Sequence, residues 1–138
     1  MTFTPAESAY LASQHLGRLA TVTADGKPQI VTVGFRINED ATIDIGGPTP
    51  TLQRYRNVRA NPHVSLVIDD MTPNDPNELK PGWGRGVEIR GTGEILEVET
   101  PPVNPEWFSH TVIRVHANRI RSWHIDPADP DGGARDVS

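Results

Sequence analysis

The sequence predicts a mostly β fold (α+β with minor helices): an antiparallel barrel of six or seven strands, with a helix at the N-terminus and one helix between strands 3 and 4. Short runs rich in β-branched residues are joined by turn sequences such as Ala-Asp-Gly-Lys-Pro at 24–28. One run, GVEIRGTGEILEV at 86–98, is long and carries Gly91 and Gly93, which indicates a bulge or a bend. The strands do not alternate with helices as in a parallel sheet, which indicates an antiparallel barrel or sandwich, and the long strand with its two glycines favours the barrel.

The first helix is predicted in TPAESAYLASQHLG, residues 4–17. Thr4 has the position of an N-cap, and Pro5 suits the first helical position. Glu7 completes a Thr-x-x-Glu capping box, which satisfies two backbone N–H groups. Gly17 is expected to end this helix.

The strands are predicted around a second short helix. This helix follows the loop GGPTPT at 46–51, with Thr49 or Thr51 as its N-cap and Asn-Pro at 61–62 as its end. The strands are expected at 19–23, 29–37, 42–45, 64–70, 86–98, 111–115 and 119–125. Residues 1–126 form a single predicted domain, and residues 127–138 are predicted to be a disordered C-terminal tail.

The composition excludes several classes of protein. The 138 residues carry a formal net charge of -5 and no cysteine, which excludes disulfides, thiolate metal sites and a cysteine nucleophile. No apolar stretch is long enough for a membrane span and no signal peptide is recognisable, so a cytoplasmic protein without membrane contact is expected. An acidic chain argues against nucleic-acid binding, but it is compatible with a small anionic ligand.

Three arginines lie close together in TLQRYRNVRANP, residues 51–62. On a helical wheel of residues 52–60, Arg54 and Arg56 border the apolar stripe and Arg59 falls inside it. Two interpretations are open at this point. The arginines are either partly buried residues with surface salt bridges, or they form an anion site with the backbone N–H groups of the loop 46–51.

Other chemical motifs are absent from the sequence. The five histidines show no metal-ligand spacing, so no metal site is predicted. There is no Gly-x-Ser-x-Gly motif, and Gly-Thr-Gly at 91–93 is too short for a dinucleotide fingerprint. The catalytic residues are therefore unknown, and we expect any reaction to depend on a bound cofactor.

Four stretches in a fixed order resemble one known family. GRLATVTADGKPQIVTVGF and RYRNVRANPHVSLVI resemble the pyridoxamine 5'-phosphate oxidase-like family of split β-barrels. RGVEIRGTGEI and NRIRSWHID resemble its actinobacterial branch, which depends on coenzyme F420. The resemblance covers about residues 4–126. It implies an FMN-binding type of split barrel and a homodimer with two equivalent flavin or deazaflavin sites between the subunits.

The resemblance also implies a set of cofactor-binding residues. They line the ring system with their backbone, belong to the hydroxyl-bearing loop, or belong to the basic helix: Val31, Thr32, Val33, Thr49, Thr51, Arg54, Arg56 and Asn57. Arg85 and Arg90 belong to the later strand motif of the branch. The chain departs from the family pattern with arginine at position 54, where many relatives have lysine. It departs again with His124, where relatives usually have glycine.

The resemblance implies an oxidoreductase that transfers a hydride from reduced coenzyme F420, an 8-hydroxy-5-deazaflavin, to an electron-poor C=C or C=N bond of a small organic substrate. One alternative is an FMN-dependent enzyme of the pyridoxamine 5'-phosphate oxidase type. Another is a non-catalytic module that binds flavin, deazaflavin or haem, with His63 or His116 as the haem ligand.

A homodimer is also expected from the residues themselves. A barrel of this size exposes an apolar flank, which a second copy can cover across a two-fold axis. Trp107, Phe108 and Trp123 are the side chains available for this contact.

Overall fold

The computed structural model describes residues 2–138, which form two helices and seven strands. None of the helices in these residues is long and apolar enough to cross a membrane. The elements follow one another as α1 (Pro5–Ala12), β1 (Leu16–Val22), β2 (Pro28–Ile37), β3 (Ile43–Ile45), α2 (Gln53–Ala60), β4 (His63–Met71), β5 (Gly84–Glu97), β6 (Thr111–Trp123) and β7 (Gly133–Asp136).

Six strands form a closed antiparallel barrel. They are hydrogen-bonded in the order β3-β2-β1-β4-β5-β6, and a pairing between β3 and β6 closes the ring. The N-terminal half of β6 pairs with β3, whereas its C-terminal half pairs with β7. The predicted barrel of six or seven strands is thus confirmed, with β7 as the strand outside the ring.

The bulge predicted near Gly91 lies in the pairing of β5 with β6. The register shifts between Arg90 and Gly91, so that Asn118 of β6 has no opposite residue. A Cβ atom on Gly91 would lie 1.9 Å from the carbonyl oxygen of His116, so only glycine fits there. Because the bulge absorbs the extra residue, β6 runs without interruption where the sequence predicted two strands.

The first helix confirms the predicted capping box but not the predicted end. The Glu7 N–H donates to the Thr4 hydroxyl at 3.1 Å, and the Thr4 N–H donates to the Glu7 carboxylate at 3.0 Å. The helix ends at Ala12, and Gly17 belongs to β1 instead. A Cβ atom on Gly17 would come within 3.1 Å of the Ile68 side chain, so this glycine serves close packing inside the barrel.

The second helix begins without the predicted threonine cap. Its N-cap is Leu52, which provides no capping hydrogen bond from its side chain. The hydroxyls of Thr49 and Thr51 lie 2.9 Å from each other instead. As predicted, the helix ends before the Asn-Pro pair, with Asn61 as its C-cap. The first N–H groups of α2 therefore have no side-chain cap.

The C-terminal residues contradict the predicted disordered tail, because 133–136 form β7. Two nitrogens of Arg135 donate to the carboxylate of Glu7 at 2.9 and 2.6 Å, and one also donates to the Thr2 carbonyl oxygen. The Glu7 side chain is only 1% exposed. This ion pair ties the two ends of the chain together, although its members are 128 positions apart.

The second helix closes one end of the barrel. Tyr55 and Val58 are buried, and a Cβ atom on Gly93 of β5 would lie 3.2 Å from Val58 Cγ1. The Tyr55 hydroxyl donates to the Thr111 carbonyl oxygen at 2.9 Å. These contacts fix the side of α2 that faces the core. The arginines of α2 therefore point toward the loop that precedes the helix.

Candidate functional site

The loop that joins β3 to α2, residues 46–52, folds around one guanidinium group. Nη2 of Arg54 donates to the carbonyl oxygen of Gly46 at 2.8 Å. A Cβ atom on Gly47 would lie 2.9 Å from the same Nη2, so the glycine leaves the space that the guanidinium occupies. The Ser109 N–H donates to the Gly47 carbonyl oxygen at 2.9 Å and braces the loop from the other side.

Arg54 is a partly buried cation without a carboxylate partner. Its Nε atom is buried and has no hydrogen-bond partner among the described residues. No carboxylate of residues 2–138 forms an ion pair with it. Its guanidinium carbon lies 5.9 Å from the centre of the Tyr55 ring. Burial lowers the pKa of the Arg54 guanidinium from its ordinary value, which is the expected cost of a cation without a counter-ion.

Two further arginines of α2 reach back toward the same loop. Nη1 of Arg56 donates to the Thr51 carbonyl oxygen at 2.5 Å. Nη1 of Arg59 lies 3.4 Å from the Pro50 carbonyl oxygen. Both side chains are exposed, which corrects the helical-wheel prediction that Arg59 falls within the apolar stripe. We call Arg54, Arg56 and Arg59 the α2 arginine cluster.

The α2 arginine cluster is not a set of surface salt bridges. Within residues 2–138 its members donate hydrogen bonds only to uncharged oxygen atoms, and none of the ion pairs includes them. The Thr49 and Thr51 hydroxyls lie on the same loop, beside the uncapped start of α2. Hydroxyls, guanidinium groups and backbone N–H groups in this arrangement provide the donors that a phosphate or carboxylate requires.

Val31, Thr32 and Val33 lie in a part of β2 that has one open edge. On one side this part pairs with β1. On the other side β3 pairs only with residues 35–37, so no strand of the described chain covers the rest of that edge. The Val33 side chain is buried, Val31 packs against the core, and Thr32 is exposed. The open edge is the geometry that the predicted backbone contacts to a ring system need.

Asn57 lies behind the α2 arginine cluster rather than on its surface. It is 1% exposed. Its amide nitrogen donates to Thr21 Oγ1 at 2.9 Å and to Gln29 Oε1 at 3.0 Å, and its oxygen accepts from Gln53 Nε2 at 2.6 Å. In this structure the Asn57 amide therefore holds α2 against β1 and β2. Gln53 and Gln29 are absent from the predicted site residues. The four-residue spacing of Gln53 and Asn57 on a helix is a local signal that could have indicated the first contact, and no local signal points to Gln29.

The residues of the later strand motif lie away from this cluster. Arg85 forms two hydrogen bonds with Asp70, at 2.8 and 3.1 Å, and Arg90 pairs with Glu88 at 2.9 Å on the outside of β5. His124 has a positive φ of 58°, a conformation in which glycine is favoured. The fold does not bring these residues together with the α2 arginine cluster.

The two histidines considered as haem ligands differ in their surroundings. His63 is exposed at the start of β4. Nε2 of His116 lies 2.7 Å from the Glu94 carboxylate. Residues 2–138 contain no group of three or more His, Cys, Asp or Glu side chains placed to hold a metal ion.

Comparison with known proteins identifies the family. The family model of pyridoxamine 5'-phosphate oxidase matches residues 3–129, so this chain belongs to that family, as the sequence predicted. A relative from Streptomyces rimosus subsp. rimosus, 5a,11a-dehydrotetracycline/5a,11a-dehydrooxytetracycline reductase, is 39% identical over 142 residues. That match covers 100% of this chain and 95% of the relative.

Two solved structures are similar to the fold. An F420 reductase is 25% identical with a TM-score of 0.55, and the match covers 78% of this chain and 89% of that chain. A haem-binding protein from Mycobacterium smegmatis is 18% identical with a TM-score of 0.68. This match covers 99% of this chain and 59% of that chain, and it shows the shared fold only.

Proposed function

We propose that this protein is a reductase that binds coenzyme F420 at the α2 arginine cluster and reduces an electron-poor C=C or C=N bond of a small organic substrate. The observation that carries the proposal is Arg54, a partly buried cation whose Nε has no partner and whose charge no carboxylate of residues 2–138 neutralises. Coenzyme F420 carries a phosphate and a polyglutamate tail, which supply the missing negative charge. The proteins named above as a reductase and an F420 reductase support this choice.

The residues present fit an anionic cofactor with a flat ring system. Arg54 and Arg56, with the hydroxyls of Thr49 and Thr51, would hold the phosphate beside the start of α2. The open edge of β2 would accept the ring through backbone hydrogen bonds. A neutral ligand would leave the partly buried charge of Arg54 without a counter-ion, and this favours a ligand with a phosphate.

The chain itself contributes binding and orientation to the proposed reaction. Reduced F420 supplies a hydride when it is bound, and a proton is needed at the other atom of the reduced bond. We assign that proton to solvent, since Val31, Thr32 and Val33, which lie along the open edge of β2, include no acidic side chain. Arg54 and Arg56 hold the anionic part in place, which keeps the reacting ring at a fixed position along β2.

The substrate class that we propose is a conjugated polycyclic compound of the kind named for the Streptomyces rimosus relative. The support is the 39% identity over the whole of this chain. A panel of dehydrotetracyclines, simple enones, quinones and imines tests it, with the loss of reduced F420 as the readout. Turnover of the dehydrotetracyclines is the expected result. No turnover with any compound would favour a binding or storage protein.

A binding comparison on the purified protein tests the cofactor. We expect saturable binding of F420 and weaker binding of FMN, which has a phosphate but no polyglutamate tail. Tight binding of FMN without a response to F420 would contradict the proposal and favour the FMN-dependent alternative. Haem is the third arm, and a shift of its Soret band on titration would favour the haem-binding alternative.

We also propose a homodimer with the cofactor sites between the subunits. Leu16 and Ile30 are 52% and 67% exposed on the outside of the neighbouring strands β1 and β2, and Trp107 is 80% exposed. Phe108 and Trp123 are partly buried within the chain, so they offer less surface than the sequence suggested. Sedimentation is expected to give twice the 15.1 kDa of the chain. A monomer at micromolar concentration would contradict the proposal.

A further inference from the structure

A chain of side-chain hydrogen bonds runs from the inside of the barrel to an exposed guanidinium group. Asn57 Nδ2 donates to Thr21 Oγ1 at 2.9 Å and to Gln29 Oε1 at 3.0 Å. Gln53 Nε2 donates to Asn57 Oδ1 at 2.6 Å, and Arg56 Nη2 donates to Gln53 Oε1 at 2.5 Å. We call these five residues the amide relay.

The inner end of the amide relay is anchored to two adjacent strands. Thr21 and Gln29 lie opposite each other in the pairing of β1 with β2, so the two N–H groups of Asn57 reach one residue on each strand. The Asn57 amide is 1% exposed and uses both its nitrogen and its oxygen. Arg56 can only donate, so Gln53 presents its oxygen to Arg56 and its nitrogen to Asn57. The Asn57 oxygen must then face Gln53, and this fixes the orientation of the Asn57 amide.

The outer end of the amide relay holds a side chain that would otherwise be mobile. Arg56 is exposed, and it forms no ion pair with any residue of 2–138. Its two terminal nitrogens are instead fixed by Gln53 Oε1 and by the Thr51 carbonyl oxygen. An exposed arginine loses side-chain freedom when it binds an anion, and holding it beforehand removes part of that cost.

We propose that the amide relay positions Arg56 for the phosphate of the cofactor and sets its place relative to β2. Gln53, Asn57, Gln29 and Thr21 are then positioning residues that do not touch the ligand. The inference rests on the proposed function, because it concerns the same site. It goes further, because the hydrogen bond between Asn57 and Gln29 joins α2, which would bind the phosphate, to β2, which would bind the ring.

Side-chain 15N NMR on the cofactor-free protein tests the positioning directly. The Arg56 guanidinium is expected to be restricted in the wild type and mobile in Gln53→Ala, which removes one acceptor at the surface of α2. Tyr55→Phe is the matched control. It lies on the same helix and loses a hydrogen bond to the Thr111 carbonyl oxygen, without touching the amide relay. An Arg56 signal that is the same in Gln53→Ala and the wild type would overturn the inference.

A double-variant cycle tests the effect on binding, with F420 and FMN as the probes. Gln53→Ala is expected to weaken the affinity about threefold to tenfold, since Arg56 must then be ordered on binding. Asn57→Ser is expected to weaken it similarly and also to lower the melting temperature. Gln53→Ala combined with Arg56→Ala is expected to bind like Arg56→Ala alone, because the relay acts through Arg56. Independent, additive losses would contradict the relay.

The two measurements separate the two proposals. If the wild type binds neither F420 nor FMN, the proposed function fails, and the NMR comparison still decides whether Gln53 holds Arg56. If a cofactor binds but Gln53→Ala changes neither the mobility of Arg56 nor the affinity, the relay alone fails. Restricted Arg56 in the wild type, mobile Arg56 in Gln53→Ala and a non-additive loss of affinity together support both.

Discussion

Arginines are held in two different ways near the two ends of β5. Beside α1 and β7, Arg135 forms an ion pair with Glu7, whose side chain is 1% exposed. Beside α2, Arg54 contacts the carbonyl oxygen of Gly46 and no carboxylate of the described chain. The first guanidinium neutralises a buried charge of the protein. The second guanidinium carries a charge that no carboxylate of the described residues neutralises.

The difference separates an arginine that pairs with a buried charge of the protein from one that is available to a ligand, as the proposed function requires. Removing one member of a buried ion pair leaves an uncompensated charge inside the protein, so the fold depends on both members. An arginine that meets only carbonyl oxygens can leave without stranding a charge, so the fold depends on it little. In the proposed function, the anion that pairs with the second kind comes from the bound cofactor.

The largest expected effect is a loss of stability when the ion pair of Arg135 and Glu7 is broken. Arg135→Ala is expected to lower the free energy of unfolding by about 3–5 kcal/mol, because it leaves the buried Glu7 carboxylate without its counter-ion. Calorimetry should show a melting temperature lower by roughly 10 °C. Arg119→Ala is the matched control, since Arg119 also ties β7 to β6, through a pair with Asp136 whose side chains are 45% and 84% exposed. It is expected to cost below about 1 kcal/mol. Equally small losses in both variants would contradict the comparison.

The second largest expected effect is a loss of cofactor affinity when Arg54, which has no carboxylate partner, is removed. Arg54→Ala is expected to weaken F420 binding about tenfold to a hundredfold, since a hydrogen bond to a charged group contributes about 1.5–3 kcal/mol. Its melting temperature is expected to change little, because the variant strands no charge: it loses one hydrogen bond to the Gly46 carbonyl oxygen and also removes a buried Nε without a partner. Titration and calorimetry on the same samples check both parts. Unchanged affinity in Arg54→Ala and in Arg56→Ala would mean that the cofactor binds elsewhere.

The third expected effect is that the stability contributed by the ion pair of Glu7 and Arg135 depends on pH. Burial raises the pKa of the Glu7 carboxyl, but the hydrogen bonds from Arg135 and from the Thr4 backbone outweigh it, so the pKa lies below its ordinary value of 4.5. A depressed pKa contributes stability above the unfolded value, and this contribution is lost as the pH falls through the folded value. The stability difference between the wild type and Glu7→Gln should therefore be constant above about pH 5 and shrink in acid. A difference that grows in acid would contradict the assignment.

Local signals explain how much of the fold was predictable. The capping box of Thr4 and Glu7 and the bulge at Gly91 each depend on residues close in sequence or on one special residue, and both are present. The Arg135–Glu7 pair depends on contacts across 128 positions, and no local pattern indicates it. The composition of the tail, rich in Asp, Pro and Gly, therefore predicts disorder, whereas β7 pairs with β6.

The candidate site also has features that the local sequence indicates and features that depend on long-range contacts. The concentration of arginine in 54–59 is compatible with an anion site or with surface salt bridges, and the individual roles come from the resemblance. The amide relay was not predictable, because Asn57 meets Thr21 and Gln29 across 36 and 28 positions. The helical wheel misplaced Arg59, since the wheel describes an isolated helix and not the loop 46–52 toward which its guanidinium turns.

The smallest expected effect is that of Arg59, the outermost member of the α2 arginine cluster. Its side chain is exposed, and its closest acceptor, the Pro50 carbonyl oxygen, is 3.4 Å away. An exposed charge contributes about 0.2–1 kcal/mol, so Arg59→Ala is expected to weaken F420 binding only about twofold to threefold at low salt, with no change in melting temperature.

Salt distinguishes Arg59 from the partly buried Arg54. At about 1 M salt the Debye length is about 3 Å, so the deficit of Arg59→Ala should disappear, whereas most of the deficit of Arg54→Ala should persist. Affinities of both variants at low and high salt check this. A loss in Arg59→Ala as large as that in Arg54→Ala, and insensitive to salt, would place the anion along the exposed side of α2. The distinction between the buried and the exposed arginines of the cluster would then be wrong.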